Sequence, residues 1–164
     1  MAFLFRLAQE SDAEAISALI HRALLPETLP GWMPVAVERL LGDNSAQSLR
    51  EFLKRAAFSL VCVHADAIVG FITSKLPRLI SLVAVDPAFQ RAGVGSQLVE
   101  RLLQHISMEA REVSVVEVSA TEYSFPFYRR LGFYPLSEFI DYEGCRFARL
   151  GYWRKNPLQQ KRES

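Results

Sequence analysis

Residues 79–110 read LISLVAVDPAFQRAGVGSQLVERLLQHISMEA, and the QRAGVG segment within them carries the clearest chemical signal in the chain. Gly93 and Gly95 withhold side chains where a backbone must come close to a ligand, and Arg91 sets a fixed positive charge beside the start of a helix. The first N–H groups of a helix have no partner within it, so such a turn forms a nest for an anion, phosphate above all. Two familiar phosphate motifs do not fit. A dinucleotide fingerprint requires a third glycine where this chain has Leu98, and it would begin directly after the strand instead of across DPAFQR. A Walker loop requires Lys followed by Ser or Thr after its second glycine, and no such pair stands here.

Groups able to move protons lie further on. Tyr128, in PFYRRLGF, brings a phenol on a short helix; packing is the commoner fate of a helical aromatic. Glu117, in VSVVEVSA, shares a strand face with Val113, Val115 and Ser119, where partial burial would raise its pKa toward that of a general base. A solvated strand end or an arginine partner would instead make it structural, and Glu122 is a rival. His21, His64 and His105 each stand alone and receive no role. Cys62 and Cys145 sit in apolar runs without a CxxC or Cys/His cluster, so both read as reduced core residues and no metal site is expected.

These groups must be positioned by a single α/β domain over residues 1–154, with a polar tail over 155–164 that reads as solvated. Residues 2–8 alternate as a strand, and Ser11 followed by Glu14 suits a capping box opening a helix that carries Ile16, Leu19, Ile20 and Ala23 on one face. LPETLPGWMP forbids regular structure, and its Trp32 serves either as a lid over a site or as a plug at the core edge. Helical spacing returns over 37–41 and 49–56, broken at Gly42-Asp43-Asn44-Ser45. FSLVCVH and AIVGFITSKL form a hairpin across Ala65-Asp66, with Gly70 marking a bulge or a close backbone approach. LISLVAV, apolar on both faces, reads as a central strand, and the helix over 94–110 carries it to a parallel neighbour at 113–120. Ser124, Pro126 and Gly132 delimit a short helix, and 133–142 with 145–152 form a closing hairpin across Glu143-Gly144.

Taken together, LVAVDPAFQRAGVGSQLVERLL resembles the acetyl-CoA signature of the GNAT N-acetyltransferase superfamily. Arg6-x-Ala8 with Asp12 resembles the family's usual start, AIVGF its third strand, and PFYRRLGF its fourth helix and following strand. The resemblance implies a mixed α/β (α+β) sheet of about seven mostly antiparallel strands with a central parallel pair, flanked by about four helices. It implies acetyl-CoA as co-substrate and an amine as acetyl acceptor, with direct transfer in a ternary complex. Val83, Ala84 and Val85 would pair through their backbone with pantetheine and supply an oxyanion donor. Arg91, Ala92, Gly93, Val94, Gly95 and Ser96 would bind the pyrophosphate, mainly through main-chain N–H groups. Tyr128 would be the general acid for the departing thiolate. Many family members carry Asn where this chain has Thr121.

A formal net charge of +1 gives no strong field for nucleic acid or a membrane surface, which favours a small-molecule amine over an acceptor carried on tRNA. No apolar run approaches membrane-spanning length, and a cytoplasmic protein is expected. Glu27, Glu138, Asp141 and Glu143 lie in the segments expected to meet the acceptor and could attract a cationic amine, or be ordinary surface. The family's members often pair, so a homodimer is compatible with the resemblance. The alternative from another class is a non-catalytic acyl-CoA-binding or regulatory module, which would keep the loop and need no acid or base.

Overall fold

The computed structural model describes residues 2–154; the polar tail expected at 155–164 lies outside the described residues. An eight-stranded mixed sheet runs through the domain. Its strands are β1 (Leu4–Leu7), β2 (Phe58–His64), β3 (Ala67–Leu76), β4 (Leu79–Val85), β5 (Val115–Ala120), β6 (Tyr134–Pro135), β7 (Ile140–Tyr142) and β8 (Cys145–Trp153). They are ordered β1-β2-β3-β4-β5-β8-β6, with β7 on the outer part of β8. Among the described residues only β4 and β5 are parallel. Among the described residues five helices flank the sheet: α1 (Ala13–Ala23), α2 (Pro34–Asp43), α3 (Ala46–Leu53), α4 (Val94–Glu109) and α5 (Phe125–Arg130). None of the described helices is long and apolar enough to cross a membrane.

Local chemistry accounts for the boundaries. The helix start expected at Ser11 shifts to Gln9: a 3-10 turn forms first, with the Gln9 N–H donating to Asp12 Oδ2 at 2.8 Å and the Asp12 N–H donating to the Gln9 carbonyl at 2.9 Å. The chain breaks between α2 and α3 because Ser45 Oγ accepts the Ser48 N–H at 3.2 Å as an N-cap. Ala65 and Asp66 both take positive φ, 47° and 63°, the paired left-handed turn that matches the twist of a hairpin. The closing hairpin is less regular than its spacing suggests, since 136–139 leaves the ladder between β6 and β7.

The sheet separates two cores. Leu98, Leu102 and Ile106 of α4 pack with Val116, Val118 and Leu150 on one face, while Ile16, Leu19 and Ile20 of α1 pack with Val61, Phe71 and Ala84 on the other. Gly70 serves both of its expected purposes. Cys62 pairs with Gly70 but Val63 pairs with Ile68, so Val69 is bulged. A Cβ at Gly70 would stand 2.7 Å from Val94 Cγ1 and 3.1 Å from Leu98 Cδ1, so its absence seats α4 against the sheet.

Candidate active site

The site exists because β4 leaves β5. Their parallel pairing is limited to Leu79 with Glu117 and Ile80 with Val118. In the ladder to β3, Thr73 pairs with Leu82 and Ser74 with Ile80, so Ser81 is an extra residue. A bulge bends its strand and reverses the alternation of faces beyond it. Ile80 accordingly faces the α4 core and Leu82 the α1 core. LISLVAV is therefore central at its start and free along one edge at its end, which corrects the expectation of a strand covered throughout: Leu82, Val83 and Val85 are only half-buried.

The free edge has a defined register. The Asp86 N–H donates to the Val69 carbonyl at 2.9 Å, so backbone groups two and four residues earlier, on Ala84 and Leu82, also face β3. Those of Val83 and Val85 face the gap. Gln90 Nε2 reaches the Val85 carbonyl at 3.4 Å from that side. Of the three strand residues expected to offer backbone groups, Val83 and Val85 do so, whereas Ala84 spends its own on β3 and buries its side chain.

At the end of β4, the Asp86 carboxylate caps a 3-10 turn by accepting the Ala88 N–H at 2.9 Å and is neutralised by Arg22 at 3.0 Å. Arg91 and Gly93 then take φ of 64° and 83° before α4 begins. The first bond of α4 runs from the Gln97 N–H to the Gly93 carbonyl. The N–H groups of Gly93, Val94, Gly95 and Ser96 donate to no acceptor among the described residues. Four free donors at the positive end of a 16-residue helix can hold an anion. Val94 contributes only its backbone, because its side chain is buried in the core. Gly93 is required by its φ and has open space around it. Gly95 makes room for protein: a Cβ there would stand 3.3 Å from the Phe127 ring. The loop thereby rests on the helix that carries Tyr128.

A cavity of about 380 Å³ opens between the separated strands. Val83, Ala84 and Val85 line it from β4, Val118 and Ser119 from β5, and Tyr128 from α5. Tyr128 is 5% exposed, held edge-on between Phe127 and Phe133 at ring distances of 5.0 and 5.4 Å. Its hydroxyl has no hydrogen-bond partner among the described residues. Burial pushes the phenol pKa well above its ordinary value, so the group stays protonated and serves as a donor.

Neither glutamate considered as a base lines the cavity. Glu117 accepts from Arg149 Nη2 at 2.7 Å and Glu122 from Arg146 Nε at 2.5 Å, the arginine partnership that sequence spacing left open. Trp32 is half-buried in the cavity wall, its indole N–H donating to the Arg146 carbonyl at 3.0 Å. Thr121 fixes the same segment, with Oγ1 donating to the Thr28 carbonyl at 3.0 Å. Cys145 departs from its reading as a core residue, because it is partly exposed and lines the cavity. The residues missed by sequence reasoning, Leu24, Leu40 and Phe147, reach the cavity from three separate elements and share no motif. Arg91, Ala92, Gly93, Gly95 and Ser96 lie beyond its lining, linked to it along Val85 and Gln90.

Comparison with known proteins places this geometry. The family model described as an acetyltransferase (GNAT) domain matches residues 28–151. The fold matches the GCN5-related N-acetyltransferase "Aminotransferase, Class-II" of Rhodopseudomonas palustris, with a TM-score of 0.79 at 17% identity over 93% of this chain and 96% of that one. It also matches the PaiA N-acetyltransferase of Thermoplasma acidophilum in complex with coenzyme A, with a TM-score of 0.72 at 16% identity over 93% and 99% of the two chains. The ribosomal-protein-S18-alanine N-acetyltransferase of Escherichia coli matches with a TM-score of 0.63 at 18% identity over 94% and 96%. No curated protein gives a significant sequence match.

Proposed function

Because the chain belongs to the GNAT acetyltransferase family, we propose that it transfers the acetyl group of acetyl-CoA directly to the primary amine of a small molecule within a ternary complex. The observation that carries this reading is the meeting of two features in one cavity: the unpaired backbone edge of Val83 and Val85, and Tyr128, a buried residue in the cavity wall whose hydroxyl has no partner among the described residues.

The residues present fit coenzyme A. The free N–H groups at the start of α4, with Arg91 beside them, hold the pyrophosphate. The β4 edge offers the donors and acceptors that an amide-bearing pantetheine arm needs, in the manner of an added strand. Acetyl-CoA supplies the activated acyl group. A backbone N–H of Val83 or Val85 stabilises the charge that develops on the carbonyl oxygen, and Tyr128 gives its proton to the leaving sulfur. With Glu117 and Glu122 held by arginines, the amine proton leaves through water.

Mixing the protein with acetyl-CoA and a panel of amines, and following free thiol, tests the reading. Amine-dependent thiol release is expected. Binding of acetyl-CoA without thiol release across small amines and peptide N-termini would instead favour a non-catalytic acyl-CoA-binding module.

A further inference from the structure

Besides β4 and β5, the cavity is walled by Leu24 at the end of α1, Leu29 and Trp32 in the segment before α2, Leu40 on α2 and Phe147 on β8. Among the described residues no charged side chain lines the cavity; its polar groups are hydroxyls, the Gln90 amide, the Trp32 indole and the Cys145 thiol. Glu27, Glu138 and Glu143 lie outside its lining, and four further carboxylates are engaged. Arg22 holds Asp86 at 3.0 Å, Arg149 holds Glu117 at 2.7 Å, and Arg146 holds Glu122 at 2.5 Å and Asp141 at 3.1 Å. The charge that touches the wall is positive: Arg39 Nη2 stands 3.7 Å from Cys145 Sγ.

An ammonium ion entering this cavity would lose water and gain no counter-ion. A free base suffers no such loss, and the Trp32 and Phe147 rings favour a flat apolar body. The same cavity of about 380 Å³ also takes the acetyl group and the end of the pantetheine arm along Val83 and Val85, which leaves the acceptor room for one ring. Resting on the acetyltransferase reading above, we infer that the acceptor is a single-ring arylamine, bound as its free base. This also explains why the cavity has no carboxylate base. A lysine-like amine, with a pKa of about 10.4, is uncharged in only about one molecule in 10³ at neutral pH, whereas an arylamine is uncharged already.

The proton balance closes within the site. The nitrogen lone pair forms the new bond to the acetyl carbon as the carbon–sulfur bond breaks, and the sulfur takes the Tyr128 phenolic proton. Tyr128 is restored by the proton leaving the nitrogen, directly or through water. Amine and thioester become amide and thiol.

The test follows thiol release from acetyl-CoA with p-anisidine, phenethylamine and spermidine at pH 6.5 and 8.5. The kcat/KM for p-anisidine should exceed that of both alkylamines at least tenfold at pH 6.5 and change less than threefold by pH 8.5. Any phenethylamine turnover should rise up to about 100-fold over the same interval, following its free-base fraction. Leu40→Glu, checked for folding by its melting temperature, should shift the ratio of the two ring amines toward phenethylamine at least tenfold. Preference for spermidine, or an unchanged ratio in the folded variant, overturns the arylamine assignment and leaves acetyl transfer standing. Silence with these three and with the wider amine panel removes both readings.

Discussion

Arg149 donates to the Glu117 carboxylate at 2.7 Å across the β5–β8 ladder, which holds the one acidic residue of β5 in an ion pair outside the cavity wall. Such a pair, with both side chains partly exposed, is worth about 0–1 kcal/mol. Glu117→Gln should therefore change turnover less than threefold and leave the shape of the pH–rate profile unaltered. Steady-state thiol release across pH 6–9 checks it; loss of the acidic limb of the profile would restore Glu117 as the base.

Tyr128→Phe should have the opposite character. Loss of a general acid slows turnover by about 10²–10⁴-fold, while coenzyme affinity, set by β4 and α4, stays within about twofold by calorimetry. The hydroxyl has no protein partner among the described residues, so its removal should not lower the melting temperature. The pH sign follows from burial. The folded pKa is raised above the unfolded one of about 10, so the stabilisation is complete below that pH and is lost as pH rises through it. The Phe variant should lose less stability than the parent on going from pH 9.5 to 11.

Asp12 behaves in the reverse sense. Arg6 grips it in two bonds of 2.7 and 2.9 Å and holds its carboxyl below the ordinary range, against the smaller effect of burial. Its contribution is present above the unfolded pKa of about 3.9 and disappears as pH falls through the folded value. Asp12→Asn should cost about 2 kcal/mol at pH 7 in urea unfolding, and the difference should shrink below about pH 4.

Two glycines separate conformation from space. Gly93 has φ of 83° with no atom close to where a Cβ would stand, and Gly42 lies within α2, also in open space. Gly93→Ala should destabilise by about 1–2 kcal/mol through backbone strain alone. Gly42→Ala should stabilise by about 0.5–1 kcal/mol. Thermal unfolding of both compares them; equal effects would remove the left-handed requirement at Gly93.

Most of this architecture is legible in the sequence because its signals are local. The Ala65-Asp66 turn, the 42–45 break and the loop from Gln90 to Ser96 depend on residues a few positions apart. The separation of β4 from β5 is not local: it follows from the unpaired Ser81, which matters only once β3 and β5 are in place. The partners of Glu117 and Glu122 lie 32 and 24 residues away, beyond any spacing rule. Cys145 reads as a core residue because its run is apolar, yet the cavity wall is apolar too.

The central claim, that coenzyme A lies along the β4 edge with its pyrophosphate on the start of α4, is tested most directly by an amide-resolved NMR titration with coenzyme A. The largest shifts should fall on Gly93, Val94, Gly95 and Ser96, with a second group at Val83 and Val85 and little change at Ala84, whose N–H faces β3. Unmoved amides across 93–96 at saturating coenzyme, or shifts confined to other parts of the sheet, would contradict it.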